Sequence, residues 1–183
     1  MIKPVKPRRR MSAWLLTAAS LLATVVMVMG GSPTPAAAST TYNQLISDNS
    51  LPNQPKCLTL YGFNYDDGAA MVQWDCWNGP DQNWFLRPTT GGYFNIVSAF
   101  SGKCLDVYNY SQDNGAAVVM YTCNPAGATN QEWDLGEYGD GGFQLKARHS
   151  NKCLDVFAYR HNNGASVVQW DCLYGPNQKW HLG

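Results

Sequence analysis

Three side-chain types recur together along this chain. A carboxylate stands two residues after a cysteine, an aromatic two residues before the next cysteine, and an amide directly ahead of a Gln-x-Trp tripeptide. One such set is Asp106, Tyr121 and Asn130, and another is Asp155, Trp170 and Asn177. The matching places nearest the N-terminus hold Thr59, Trp74 and Asp81. An ionised carboxylate offers two acceptor oxygens, and an amide offers both a donor and an acceptor. An aromatic ring offers a flat apolar face. Together they suit a pyranose, whose C–H face stacks on the ring while vicinal hydroxyls donate to the acid. The tryptophans of the tripeptides (Trp84, Trp133, Trp180) read as core, with Gln131 and Gln178 partly structural.

Other chemistries fit these residues less well. A glycosidase needs two carboxyls roughly 5–9.5 Å apart across one bond, whereas Asp106 and Asp155 belong to different repeats. No Ser-His-Asp arrangement is visible, and no nucleophilic thiol remains if every cysteine is bridged. His149, His161 and His181 lack the spacing of a metal site with the cysteines. Asp66 and Asp67 lack the ordered oxygen spacing of a calcium loop. No cofactor is implied.

The elements that must position the acid and the ring follow from the cysteines. Cys57, Cys76, Cys104, Cys123, Cys153 and Cys172 fall into consecutive pairs, each 19 residues apart. Six cysteines allow 15 connectivities, and the equal spacing favours local bridges: 57–76, 104–123 and 153–172. The first cysteines of the pairs are 47 and then 49 residues apart, so the chain is an internal threefold repeat. Within each repeat, Lys-Cys-Leu-Asp/Thr-Val/Leu and Val-Val-x-aromatic-x-Cys (Met-Val in the first) have the β-branched and aromatic character of strands. Asp67-Gly68, Asn114-Gly115 and Asn163-Gly164 lie between them as turn signals. No long stretch has a 3.6-residue period, so helix content should be low. Three copies suit a closed all-β body without free edges. If bridged cysteines face each other across a hairpin, Asp106 sits opposite Tyr121, Asp155 opposite Trp170, and Thr59 opposite Trp74. Leu105 and Val107 then turn inward while Asp106 shares the other face with the ring.

Of the 183 residues only 14% are charged and 13% are aromatic, which excludes a disordered chain and a coiled coil. The formal charge of 0 averages two unlike parts. Residues 1–38 hold Lys3, Lys6, Arg8, Arg9 and Arg10 and no acid, so residues 39–183 carry a net −5. An acidic body is a poor partner for nucleic acid. Arg8-Arg9-Arg10, the apolar run from Ala13 to Met29 and the small residues Ala36-Ala37-Ala38 read as a secretory signal peptide cleaved after Ala38. The expectation is a secreted domain over 39–183, with repeats near 43–90, 91–139 and 140–183. No later apolar run is long enough to span a membrane.

Three Gln-x-Trp tripeptides (Gln82-Asn-Trp84, Gln131-Glu-Trp133, Gln178-Lys-Trp180), each with the Lys-Cys-Leu motif upstream, resemble the ricin-type β-trefoil lectins and the family-13 carbohydrate-binding modules of bacterial glycosidases. The resemblance covers about residues 43–183. It implies a six-stranded barrel capped by three hairpins, with one sugar site per repeat. Carried over residue by residue, it implies sugar contacts at Asp106, Tyr121, Asn130 and Gln131 in the second repeat, and at Asp155, Trp170, Asn177 and Gln178 in the third. The first repeat keeps Trp74 and Gln82, but Thr59 replaces the acid and Asp81 the amide, so that site is expected to be weak or lost. Many family members also carry Gln two residues before the stacking aromatic. Here Val72, Val119 and Val168 occupy that place, while Gln73 and Gln169 are shifted by one and should point to the opposite face.

The function so implied is a secreted, monomeric carbohydrate-binding protein without enzymatic activity, its ligand a glycan or polysaccharide of galactose or xylose type. The rival reading is a protein-interaction trefoil (an inhibitor or toxin-associated subunit), for which residues 124–129 and 136–142 are the loops on offer. A glycoside hydrolase is the remaining alternative.

Overall fold

The computed structural model describes residues 42–183 apart from Ala126. Residues 1–38, read above as an export signal, lie outside them, as does Ala126 of the loop 124–129. Twelve strands fall in three groups of four: β1 (Leu45–Leu51), β2 (Gln54–Leu60), β3 (Ala69–Asp75) and β4 (Trp84–Pro88); β5 (Phe94–Ser98), β6 (Cys104–Val107), β7 (Val118–Tyr121) and β8 (Trp133–Glu137); β9 (Phe143–Ala147), β10 (Cys153–Val156), β11 (Ala165–Trp170) and β12 (Trp180–Leu182). The described helical segments are three-residue 3₁₀ turns.

The first and last strands of each group close a six-stranded ring. Antiparallel pairings run β1–β12, β12–β9, β9–β8, β8–β5 and β5–β4. Asn43 closes the ring on Trp84 with two backbone hydrogen bonds of 2.8 and 2.9 Å. The hairpins β2–β3, β6–β7 and β10–β11 cap one end. They meet one another through β3–β11, β3–β7 and an Ala117–Val168 bridge. This is the β-trefoil, and it disposes of sheet edges by closure.

The core repeats with the same symmetry. Trp84, Trp133 and Trp180 are fully buried beside Leu58, Leu105 and Leu154. Their indole Nε1–H groups donate to the carbonyls of those three leucines at 3.1–3.3 Å. A large ring is thus buried with its polar handle satisfied. The three disulfides join Cys57 to Cys76, Cys104 to Cys123 and Cys153 to Cys172.

The Asx-Gly signals close eight- to ten-residue hairpin loops rather than tight turns, because each strand is followed first by a 3₁₀ turn. Their glycines take left-handed φ of 80–88°. The Asx side chains reach into the neighbouring repeat. Asp67 accepts from the Thr122 N–H, Asn114 from Asp171 and Asn163 from Asp75, at 2.8–3.0 Å. One set of turn residues therefore locks the three hairpins cyclically.

Candidate functional site

Strand alternation places Leu105 and Val107 in the core and Asp106 on the outer face of its hairpin. The register differs from the one expected. Asp106 faces Val119 and Cys104 faces Tyr121; likewise Asp155 faces Val168 and Cys153 faces Trp170, and Thr59 faces Val72 while Cys57 faces Trp74. Cys123 lies beyond the end of β7, so the bridged cysteines are not a strand pair. The shift is two residues, which preserves the face. Acid and ring remain together as diagonal neighbours rather than directly opposed ones.

The acids are buried deeper than surface carboxylates, Asp106 and Asp155 each being 4% exposed. Gln131 Nε2 donates to Asp106 Oδ2 at 2.8 Å and to the Thr122 carbonyl, while its Oε1 accepts the Asn124 N–H. Gln178 does the same for Asp155 (2.8 Å), Asp171 and Leu173. Both glutamines are thus fully engaged at the floor. Their part is to position the acid rather than to offer a free group to a ligand. Desolvation pushes each Asp carboxyl up to about 6, against the pull of the Gln and Asn amides. Asn130 Nδ2 donates to the Val107 carbonyl, and Asn177 Nδ2 to Asp155 and Val156. Each leaves its Oδ1 buried without a partner, an acceptor available to an incoming hydroxyl.

The rings form two walls, only one of which the sequence reading found. Tyr121 and Trp170 edge the sites as expected. The second wall is Tyr108 and Tyr110 in the second repeat and Phe157 and Tyr159 in the third. Tyr61 and Phe63 take these places in the first. Phe63, Tyr110 and Tyr159 adopt φ of 53–54°, unusual for bulky side chains, and do so at one place in all three repeats. The same strained backbone thus places a ring at the cavity edge in all three repeats. The available signal was an aromatic-x-aromatic triplet directly after each Leu-Asp/Thr-Val/Leu strand.

These groups enclose an open cavity of about 240 Å³ in the second repeat and about 340 Å³ in the third. A buried acceptor at the floor, a pair of aromatic walls and an open mouth suit a small polyhydroxylated ligand. Among the described residues no three His, Cys, Asp or Glu side chains converge to hold a metal ion.

A model of the ricin-type β-trefoil lectin domain matches residues 46–180. The chain belongs to that family. ThreeFoil, a designed three-fold symmetric protein, is 38% identical with a TM-score of 0.72, the match covering 77% of this chain and 96% of ThreeFoil. The exo-β-1,3-galactanase 1,3Gal43A from Clostridium thermocellum is 34% identical with a TM-score of 0.73 over 79% of this chain, which spans 30% of the galactanase. The hemolytic lectin CEL-III is 27% identical with a TM-score of 0.61, the match covering 76% of this chain and 29% of CEL-III. No curated protein sequence matches the chain.

The first repeat of this lectin domain keeps the frame and changes the groups. Gln82 Nε2 donates to Thr59 Oγ1 at 3.0 Å and to the Asp75 carbonyl, and its Oε1 accepts the Trp77 N–H. The Thr59 hydroxyl donates to the Cys57 carbonyl. Its one hydrogen is therefore committed, and it supplies no anionic acceptor. Asp81 stands where the other repeats carry Asn130 and Asn177.

Proposed function

We propose that the protein is a secreted, monomeric lectin that binds glycans through the second and third repeats and has no catalytic role. The observation carrying this reading is the pair of buried carboxylates, Asp106 and Asp155. Each is aimed by a glutamine amide and flanked by rings at an open cavity. A pyranose would lay its apolar face on Tyr121 or Trp170 and donate hydroxyls to the carboxylate. One open site buries little ligand, so single sites should be weak and two on a rigid body should gain by avidity. The 34% identity to part of an exo-β-1,3-galactanase supports a galactose-containing polysaccharide as the first ligand to try, with xylose polymers next.

A glycan-array screen of the oxidised protein beside the Asp106→Ala/Asp155→Ala double variant tests this. Selective signal that disappears in the variant is the expected result. Full binding by the double variant would remove the site assignment. Turnover of a bound polysaccharide would overturn the non-catalytic reading.

A further inference from the structure

The largest of the three equivalent cavities belongs to the repeat whose acid has left the strand. It measures about 590 Å³, against about 240 and 340 Å³ in the other two. Four rings line it: Tyr61, Phe63, Trp74 and Trp77. Trp77 has no aromatic counterpart, since Asn124 and Leu173 follow the cysteine in the other repeats. Its indole, 53% exposed, stands edge-on to Phe63 with ring centroids 5.9 Å apart and planes at 77°. It lies so close over Gly79 that a Cβ there would come within 2.0 Å of the ring. The glycine is required for space and not for conformation, its φ being −79°. The Trp77 wall is therefore seated by its own backbone.

The polar groups of this cavity are nearly all taken. The Thr59 hydroxyl donates its hydrogen to the Cys57 carbonyl and accepts from Gln82. The Asp75 carboxylate is held by Lys56 and the Asn163 amide. Asp81 differs, because it is 4% exposed and its Oδ1 has no partner. Where Asn130 and Asn177 donate to Val107 and Val156, a carboxylate has no hydrogen to give. Burial holds the Asp81 carboxyl above the usual carboxylate range. Ring faces are the negative ends of aromatic quadrupoles. Four rings around an acid with one unpartnered oxygen, with no basic side chain among the described residues lining the space, make a cavity complementary to a positive charge.

We propose that the first-repeat cavity binds an organic ammonium group, seated against the aromatic walls with Asp81 as its counter-ion. This assignment does not depend on the sugar reading of the other two repeats. The ammonium could come from a quaternary headgroup of choline type or from the amine of an unacetylated amino sugar.

Calorimetric titration of the full protein distinguishes the outcomes. The probes are choline and D-glucosamine, with 3,3-dimethylbutan-1-ol and N-acetylglucosamine as their uncharged counterparts. At least one ammonium compound should bind about tenfold or more tightly than its neutral counterpart. Tighter choline binding assigns the headgroup source, and tighter glucosamine binding the amino sugar. Asp81→Asn should weaken ammonium binding at least about tenfold while leaving the thermal transition in place, since asparagine is what the other repeats carry there. Trp77→Ala, at an exposed ring, should weaken it independently. Asp106→Ala/Asp155→Ala should leave it unchanged, which separates this result from the glycan-array result. Equal affinity for the neutral counterparts, undiminished binding by Asp81→Asn, or no binding of either ammonium compound would overturn the assignment.

Discussion

In the second and third repeats the buried acid sits on the strand, at Asp106 and Asp155, and an asparagine occupies the turn; in the first, the strand carries Thr59 and the turn carries Asp81. The frame around them hardly registers the exchange. Gln82, Gln131 and Gln178 each bridge the strand side chain to the backbone across the hairpin, at 3.0, 2.8 and 2.8 Å to Thr59, Asp106 and Asp155. The tryptophan two residues on is buried and bonded identically in each. Scaffold and ligand chemistry are thus separable in this fold. The glutamine accepts either an acid or a hydroxyl as partner, so the acid can move from strand to turn without unmaking the core.

The hardest test of that comparison is to remove the strand acids. Asp106→Ala with Asp155→Ala should abolish glycan binding, whereas Thr59→Ala, at a neutral hydroxyl whose hydrogen is already committed, should leave it nearly unchanged. Each lost charge-assisted hydrogen bond is worth about 1.5–3 kcal/mol, enough to erase a weak site. A glycan titration of the two variants decides it, and equal losses would mean that the first repeat works like the others.

Next in size is a pH effect confined to the second and third repeats. With both carboxyls pushed up to about 6, lowering the pH from 8 to 5 should protonate them and reduce sugar affinity about tenfold per site. Stability should move the opposite way. Between the unfolded value of about 4 and the folded value, the native state holds protons that the unfolded chain has released, so stability falls as pH rises across that window. The cost is complete above the folded value and is at most about 3 kcal/mol for each acid. Asp155→Asn should therefore be more stable than the parent at pH 7.5 and no more stable at pH 3.5, by denaturant titration. A pH-independent difference would show that burial is not what perturbs the acid.

How these sites could be read beforehand depended on which property was periodic. Asp106 and Tyr121 sharing a face follows from strand alternation, and it survived a register error of two residues because two is the period of the strand. Direct opposition failed because Cys123 lies past the end of β7, and nothing in the spacing reveals where pairing stops. The buried state of Gln131 and Gln178 was only partly legible. The resemblance put them among sugar contacts, and it took the three-way bonding of each amide to place them behind the acid. The strained aromatics Phe63, Tyr110 and Tyr159 were present as a repeated triplet, but left-handed backbone at a bulky residue has no signature in composition. The exchange of Thr59 and Asp81 was visible as two substitutions. Its consequence, an acid with an unpartnered oxygen in the largest of the three equivalent cavities, required the hydrogen bonds.

A smaller effect tests whether the two kinds of cavity are walled differently. Gly79→Ala puts a methyl into the Trp77 indole and should displace it, at a cost of about 1–3 kcal/mol, with loss of the first-repeat ligand but not of glycan binding. Gly175→Ala in the third repeat instead meets the Tyr159 hydroxyl, 2.5 Å from where the Cβ would sit, and should perturb the glycan site. Selective effects on the two ligands, read by calorimetry, keep the comparison; a shared effect would mean that both glycines only support the fold.

The smallest expected effect lies between repeats, where symmetry is again incomplete. Gln73 Nε2 donates to the Arg160 and Asn162 carbonyls, and Gln169 Nε2 to those of Ser111 and Asp113, so that the first and third hairpins each hold a neighbouring repeat's loop. Met120 takes the equivalent place in the second repeat and makes a purely apolar contact with the core. Gln169 Oε1 also accepts the Ser150 hydroxyl, whereas Gln73 Oε1 is buried without a partner. Replacing Gln73 by methionine forfeits two bonds but relieves one unsatisfied oxygen, so its net cost should be about 1 kcal/mol. The same change at Gln169 strands the Ser150 hydroxyl as well and should cost more. Gln169→Met lowering the melting temperature further than Gln73→Met is the expected order, and the reverse order would mean that the loop carbonyls, and not the amide oxygens, decide how firmly the repeats hold together.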